Sequence, residues 1–206
     1  MNWLKRILLG FVGLLFAGWL GLVAWAYWPT GVSEVPAVDL AGPADRFVDV
    51  DGLQLRYRTW GDPGPGKPTA LLIHGFANSL QSFRRLAPLL ADRYYVVAYD
   101  MPGYGLSSKP APFDYRNANQ AKVASDLIRA LGLRNVVVGG HSLGGAIALR
   151  VAVNDPEVVG LVLMNPGIVT TGVPPIAKYL VFPFPRLQAK IFGDPEFRAN
   201  FLRRSF

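Results

Sequence analysis

Hydrophobic residues form two patterns along the chain: one long uninterrupted run near the N-terminus, then short runs separated by segments of mixed polarity. The long run, 7–28, contains no charged residue. About twenty apolar residues, at a helical rise of ~1.5 Å each, span the ~30 Å hydrocarbon core of a bilayer. Trp25, Tyr27 and Trp28 end the run, and aromatic rings are enriched at the membrane–water interface. The pattern predicts one transmembrane helix over 7–28.

The charges on the two sides of this run predict its orientation. Lys5 and Arg6 precede it, whereas every charged residue between the run and Asp45 is acidic. Because basic flanks stay in the cytoplasm, we expect residues 1–6 to be cytoplasmic and the domain extracytoplasmic, in a single-pass membrane protein. The alternative is a secretory signal cleaved near Ala26, at a small-x-small pattern. The length of the run and its bulky aromatic residues favour an uncleaved anchor.

The segment after the run first has the composition of a linker and then the alternation of strands. Residues 29–45 are rich in proline, glycine and small side chains. Apolar and polar residues then alternate over 46–50 and 53–58, on either side of Asp51 and Gly52. An Asp-Gly pair between alternating segments is a strong signal for a tight hairpin. We therefore expect an antiparallel hairpin directly after a 29–45 linker.

The pattern then changes to short apolar runs separated by helical segments, which predicts a domain core over 46–172. The apolar runs are 69–73, 94–99, 135–139 and 158–164. The helical segments between them are 82–91, 117–131 and 143–154. Continuous apolar runs suit strands buried on both faces, so the fold class expected is α/β, with a mostly parallel sheet. Residues 173–206, rich in Pro, Phe and Arg, lack a strand signal and read as an irregular or helical excursion.

Composition and charge exclude several function classes. The formal net charge is +7, but the basic residues are scattered and are not part of a recognisable nucleic-acid module, so no nucleic-acid partner is expected. The chain has no cysteine, which excludes disulfides, thiol catalysis and thiolate metal sites. No cofactor and no metal are expected. The bilayer, through 7–28, is the partner that the sequence itself indicates.

One five-residue motif carries the predicted chemistry: Gly140-His141-Ser142-Leu143-Gly144. A β-branched run precedes this Gly-x-Ser-x-Gly pattern and a helix of small residues follows it, which is the strand–turn–helix context of a nucleophile elbow. The sharp turn holds the Ser142 hydroxyl clear of the sheet, and the two glycines keep side chains out of a close backbone crossing. The N-terminus of the following helix favours an oxyanion there. Ser142 is therefore the predicted nucleophile.

A second motif, His74-Gly75-Phe76, ends a predicted central strand. With it the chain resembles the α/β-hydrolase superfamily, from the hairpin to the C-terminus. The resemblance implies that the main-chain N–H groups of Phe76 and Leu143 stabilise the oxyanion, whereas His74 and Gly75 are structural parts of the loop. The segment beginning at Asp100 is similar to the family's loop after its fourth strand, and Asp100 is interpreted as a turn-bracing carboxylate.

The type of nucleophile narrows the reaction expected from this resemblance. Haloalkane dehalogenases and epoxide hydrolases of the family use an aspartate at the elbow, so Ser142 favours acyl transfer. The substrates left open are small esters, lipids, amides and thioesters, or diketone-like acids that undergo C–C cleavage. Residues 173–206 stand where the family inserts its cap, or lid. The aromatic residues there, which favour a hydrophobic acyl or aromatic substrate group or else pack the lid onto the core, are Tyr179, Phe182, Phe184, Phe192, Phe197 and Phe201.

A serine nucleophile needs a base and an orienting acid, and the sequence assigns neither. The two histidines are His74, in the oxyanion-loop motif, and His141, whose side chain is expected to point to the opposite face from that of Ser142. In the resembled family the acid and histidine follow the cap, and Asn165 occupies a variant acid position. We therefore expect an N-terminal part of a hydrolase, with an incomplete sheet, truncated within the cap and inactive alone. The alternatives are a split enzyme whose partner chain supplies the last strands, and a non-catalytic ligand-binding pseudohydrolase.

Overall fold

A computed structural model describes residues 3–29, 35–167 and 182–193. The chain divides into two compact units. One contains the two terminal helices, and the other spans Val35–Thr171 and contains the sheet.

The first unit contains helices α1, Trp3–Tyr27, and α5, Phe184–Gly193. Among the described residues, α1 is the helix that has the length and composition to cross a bilayer, over the 23 residues Lys5–Tyr27. Its large apolar side chains are exposed along its whole length, with Leu14 at 74%. A core helix of a soluble domain buries its apolar side chains, so this exposure is compatible with a membrane anchor or a signal sequence.

The second unit is built on one six-stranded mixed sheet in the order β1-β2-β4-β3-β5-β6. The strands are β1 Arg46–Val50, β2 Leu53–Trp60, β3 Thr69–Ile73, β4 Tyr95–Tyr99, β5 Val136–His141 and β6 Val158–Met164. β2 runs antiparallel to both β1 and β4, and the remaining pairs are parallel. The predicted α/β class, with a parallel sheet after an antiparallel N-terminal hairpin, is confirmed.

The hairpin turns at the predicted dipeptide. Asp51 has φ 50° and Gly52 has φ 79°, and two consecutive positive φ angles are the requirement of a type I′ turn. The Asp49 carboxylate accepts a 3.1 Å hydrogen bond from the Gly52 N–H and so stabilises the turn. Val50 and Leu53 therefore pair directly across it.

Three α-helices connect the strands: α2 Leu86–Leu90, α3 Asn117–Ala130 and α4 Leu143–Asn154. The continuous helix expected over 82–91 is wrong, because this stretch divides into a 3₁₀ turn, Leu80–Phe83, and the short helix α2. The Ser79 hydroxyl accepts from the Gln81 N–H and so starts the tighter turn two residues before the expected helix.

The core lies on both faces of the sheet, because alternate residues of the central strands point to opposite sides. Leu71 and Ile73 of β3 pack with α3 and α4, whereas Ala70 and Leu72 pack with the 3₁₀ turn and α2. Every residue of β3 is buried, as expected for a strand covered on both faces.

β6 differs from the other parallel strands because, in the described part of the chain, it has a neighbour on one side only. Its apolar side chains are correspondingly open, with Val159 at 65% and Val162 at 50% exposure.

Candidate active site

Ser142 lies in a strained turn between a strand and a helix. β5 ends at His141 and α4 begins at Leu143, so Ser142 alone makes the connection. Its φ of 53° and ψ of −117° lie in a region that residues with a β-carbon rarely occupy. Such strain persists only where the surroundings over-determine it, and it clusters at functional sites.

Main-chain hydrogen bonds hold Ser142 in this conformation. Its N–H donates to the Met164 carbonyl at the end of β6, at 3.0 Å. Its carbonyl accepts from Gly145 in α4 and from Gly167, both at 3.0 Å. The position of Ser142 is therefore fixed from the neighbouring strand, from the following helix and from the segment after β6.

The glycines on either side of Ser142 are required by close contacts between main chains. A β-carbon on Gly140 would lie 2.2 Å from the Gly144 carbonyl oxygen, and one on Gly144 would lie 2.1 Å from the carbonyl oxygen of Ile73. Both distances are far below van der Waals contact, and the atoms met are main-chain atoms, which do not move aside easily. The elbow thus depends on glycine at both positions, where the motif has them.

The loop after β3 also approaches Ser142. A β-carbon on Gly75 would lie 3.2 Å from the Ser142 β-carbon and 3.2 Å from His141 Nδ1. This brings together Gly75, His141 and Ser142, and Phe76 follows directly after the glycine that approaches Ser142. The Phe76 N–H donates to no described residue. The Leu143 N–H belongs to the first residue of α4, where a helix leaves its N–H groups without internal partners.

His74 is fully buried and holds two loops together. Its Nε2 accepts a 3.1 Å hydrogen bond from the Met101 N–H, which assigns the ring proton to Nδ1, and Nδ1 donates to the Gly75 carbonyl at 2.8 Å. Burial lowers the pKa of His74 below its usual value, against the opposite effects of the Gly75 carbonyl and Asp100. A neutral ring with both nitrogens engaged is not available as a base for Ser142.

His141 is exposed, and no hydrogen bond joins it to Ser142 within the described ranges. Asn165 follows β6 with φ 44° and is also exposed. Its amide cannot act as the acid of a triad. The described residues therefore provide neither a base nor an acid in contact with Ser142.

Aromatic rings pack on one another at the loop after β3. The ring of Tyr104 meets His74 edge-on, with centroids 5.3 Å apart, and meets Phe76 at 6.3 Å. Phe76 is 75% exposed, so its ring presents an apolar face in the loop whose Gly75 approaches Ser142. A hydrophobic substrate group could pack on such a face.

Asp100 braces the turn that follows β4. It is fully buried and accepts from the N–H groups of Leu80, at 2.7 Å, and Leu106, at 2.8 Å. Its Oδ2 also lies 3.1 Å from Nη1 of Arg56. A β-carbon on Gly105 would lie 1.9 Å from that same oxygen. The carboxylate occupies the centre of the turn and does not face Ser142.

Sequence reasoning did not identify the buried ion network that continues from Asp100. Arg56 is 5% exposed and lies between Asp100 and Asp45, with its Nε 2.9 Å from Asp45 Oδ1. Burial alone would raise the pKa of Asp45, but hydrogen bonds from Arg58, the Gly42 N–H and Arg56 lower it from 3.8 to about 2. Arg56 lies in a predicted strand of alternating polarity, and its position there was the available signal for this network. Asp45 was not recognised as its partner because the sequence assigns residues 29–45 to a linker.

Other predicted features fall partly outside the described residues. Tyr179, Phe197 and Phe201 lie outside them, as do the side chains of Phe184 and Phe192. In the three described ranges, no group of His, Asp and Glu side chains could hold a metal ion.

Comparisons with known proteins identify the family. The family model described as the alpha/beta hydrolase fold matches residues 68–188. The uncharacterized hydrolase YugF of Bacillus subtilis is 36% identical over 127 residues, which cover 62% of this chain and 45% of that protein. Fluoroacetate dehalogenase of a Burkholderia species is 44% identical over 119 residues, which cover 55% of this chain and 38% of the relative. The chain therefore spans less than half the length of these curated relatives.

A solved structure extends the likeness to nearly the whole chain. The crystal structure of a membrane phospholipase A, described as a novel bacterial virulence factor, aligns with a TM-score of 0.63 and 32% identity. The alignment covers 97% of this chain and 63% of that one. The match to the family model covers more than half of the chain, from the residue before β3 past the turn at Ser142. The chain belongs to the α/β-hydrolase family.

Proposed function

We propose that this protein is a serine hydrolase that acts on an ester-like or other acyl small molecule, with Ser142 as its nucleophile. The observation that carries the proposal is the strained conformation of Ser142 at the junction of β5 and α4. The hydrogen bonds that keep this conformation involve the main chain of Ser142, and within the described residues its hydroxyl makes no hydrogen bond that caps α4. A strained, pre-positioned hydroxyl is the starting point for acyl transfer.

In the proposed reaction, the Ser142 oxygen forms a bond to the carbonyl carbon while its proton passes to a base. The π electrons of the substrate carbonyl move onto the carbonyl oxygen. The N–H groups of Phe76 and Leu143 stabilise the resulting oxyanion. The tetrahedral intermediate expels the leaving group, which takes up the proton, and water then releases the acid and restores Ser142. Two donors that bind charge present only in the transition state contribute about 3 kcal/mol each.

The base and its orienting acid are not assigned to any of the described residues. We propose that they lie in a further segment of the protein or in a partner chain that supplies strands beside β6, and that the 206-residue chain alone is inactive. The open edge of β6 is compatible with either source. A non-catalytic ligand-binding protein is the alternative, and the missing base is the observation that favours it.

The substrate proposed is hydrophobic. The exposed Phe76 ring, in the loop whose Gly75 approaches Ser142, supports this, as does the likeness to a protein named a membrane phospholipase A. The dehalogenase relative does not argue for dehalogenation here, because Ser142 is a neutral hydroxyl, whereas the family's dehalogenases use a carboxylate at this position. No cofactor, metal or nucleic acid enters the proposal.

We also propose a single-pass anchor over 7–28 that leaves residues 1–6 in the cytoplasm. Outside the membrane, 29–45 would be the linker, 46–172 the hydrolase core and 173–206 the beginning of the cap. The exposed apolar surface of α1 supports the anchor, and Lys5 and Arg6 support its orientation. Cleavage near Ala26, which would release the domain, is the alternative.

A fluorophosphonate probe tests the nucleophile without requiring the natural substrate, because it labels only activated serines. In native membranes we expect the adduct on the peptide that contains Ser142, and we expect none when the 206-residue chain is expressed alone. Ser82→Ala, at an exposed serine outside the site, is the control and should leave the labelling unchanged. An unlabelled Ser142 in membranes whose other serine hydrolases react would support the non-catalytic alternative.

A further inference from the structure

The segment 182–193 packs against the last turns of the predicted membrane helix. The Phe182 ring lies 6.0 Å from the ring of Trp19 and 5.8 Å from that of Tyr27. Trp19 precedes Tyr27 by eight residues, or about 12 Å along a helix. Phe182 therefore lies along the last two turns of α1, from Trp19 to Tyr27, which is one of the aromatic residues expected at the interface.

Cationic side chains of α5 lie at the same end of α1. Lys190 Nζ donates to the carbonyls of Trp25 and of Trp28, at 2.9 Å for the second, and lies 5.0 Å from the Trp25 ring centroid. Arg186 lies 5.3 Å from the centroid of the Tyr27 ring. The last carbonyls of a helix lack internal partners and carry partial negative charge, so Lys190 both satisfies and neutralises this end.

These contacts leave an amphipathic surface open. Phe182 is 53% exposed and Ile191 is 40% exposed, although both lie on the segment that packs against α1. The exposed apolar surface of α1 is continuous with Phe182 through Trp19, which is itself 41% exposed. Apolar side chains next to Arg and Lys, at the end of a membrane span, match the composition of helices that lie in the headgroup region of a bilayer.

We propose that segment 182–193 is an interfacial membrane element, whose Phe182 and Ile191 contact lipid acyl chains, whose exposed Arg186 faces anionic headgroup phosphates, and whose Lys190 holds the segment to the carbonyl end of α1. The occupant of this surface is the bilayer that holds α1, since any leaflet that surrounds Trp19 and Tyr27 also surrounds the ring packed between them. The inference depends on the proposed anchor but not on the catalytic role of Ser142. It gives the chain a second membrane contact, within the segment 173–206 that is expected to begin the cap.

Single-cysteine labelling provides a direct test, because the chain has no cysteine of its own. The full chain is reconstituted into vesicles of phosphatidylcholine and phosphatidylglycerol that carry a lipid with a shallow nitroxide, and a fluorophore is attached at one position at a time. The test variants are Phe182→Cys and Ile191→Cys. Leu14→Cys, in the middle of α1, is the positive control, and Arg129→Cys, at an exposed side chain of α3, is the negative control.

We expect lipid-dependent loss of fluorescence at positions 182, 191 and 14, and none at 129. Ile191→Cys keeps the test valid if Phe182→Cys disturbs the contact with Trp19. In the Ile191→Cys background, Lys190→Gln should reduce the quenching, whereas Lys122→Gln, at an exposed lysine of α3, should not.

Quenching at 14 without quenching at 182 and 191 would overturn the interfacial element and leave the anchor in place. Protection of 182 and 191 from aqueous iodide without lipid quenching would mean that a protein covers the surface, which also overturns the proposal. Absence of quenching at 14 would refute the anchor and the inference together, while leaving the serine-hydrolase proposal to its own test.

Discussion

Gly144 in α4 lies so close to Ile73 in β3 that a β-carbon at residue 144 would be 2.1 Å from the Ile73 carbonyl oxygen and 2.4 Å from that of His74. This crossing joins the end of the central strand to the first turn of the helix that Ser142 begins. Any side chain at residue 144 would push the end of β3 and the loop after it away from the start of α4.

Gly144→Ala should therefore destabilise the domain, because main-chain atoms on both sides must move. We expect the free energy of unfolding to fall by about 2 kcal/mol or more, measured by chemical denaturation. Gly64→Ala is the matched control, since a β-carbon at Gly64 meets nothing within 4 Å and should change stability little. Equal stability of the two variants would contradict the close crossing.

Arg56→Ala should be far more damaging than loss of a surface arginine. It would leave the buried carboxylates of Asp45 and Asp100 without their shared cation, and breaking a buried pair costs about 3–5 kcal/mol of unfolding free energy. The control is Arg134→Ala, whose side chain is 68% exposed in its pair with Glu157 and should contribute at most about 1 kcal/mol. Thermal melting of both variants measures the difference.

Asp45 predicts an acid-dependent loss of stability. Its pKa falls from 3.8 to about 2 on folding, so the folded state favours the ionised carboxylate. The resulting stability is present above the unfolded-state pKa and is lost as the pH falls through the folded one. Between about pH 4 and about pH 2, the melting temperature of Asp45→Asn should fall less steeply than that of the parent protein. Asp62→Asn, at an exposed loop residue, should retain the parent slope, and a parent slope in Asp45→Asn would contradict the assignment.

The proposed orientation predicts that residues 1–6 face the cytoplasm and that the hydrolase core faces the other side of the membrane. A membrane-impermeant maleimide should label Arg129→Cys on intact cells, whereas Lys5→Cys should react only after the membrane is permeabilised. Labelling of Lys5→Cys on intact cells, with Arg129→Cys protected, would reverse the topology. Recovery of labelled Arg129→Cys in the medium, without residues 1–26, would support a cleaved signal.

The sequence was sufficient to predict those parts of the fold that depend on local pattern. Asp51-Gly52 specifies its own turn, and the continuous apolar run 69–73 predicts a strand buried on both faces. The motif around Ser142 predicts the tight turn in part because Gly140 is needed for a contact with Gly144, four residues away, whereas the contact of Gly144 with Ile73 joins distant parts of the chain. The helix expected over 82–91 was wrong, since the pattern of apolar residues there does not reveal where Ser79 starts a 3₁₀ turn.

Long-range contacts between side chains could not be predicted in this way. Arg56 neutralises Asp45 and Asp100, which are 11 and 44 residues away in the sequence, so nothing in its neighbourhood indicates burial. The contacts of Lys190 with the end of α1 join residues more than 160 positions apart. Such contacts arise from the tertiary fold, and local periodicity does not encode them.

Hydrolysis of a short-chain aryl ester tests the central claim, that Ser142 is the nucleophile of a serine hydrolase. The protein is taken from its native membranes, where the proposed segment or partner with the base would accompany it, and is compared with its Ser142→Ala and Ser82→Ala variants. We predict that Ser142→Ala lowers kcat by about 10³-fold or more, that Ser82→Ala keeps the parent rate, and that the 206-residue chain alone shows no turnover that depends on Ser142. Parent-level turnover in Ser142→Ala would contradict the account.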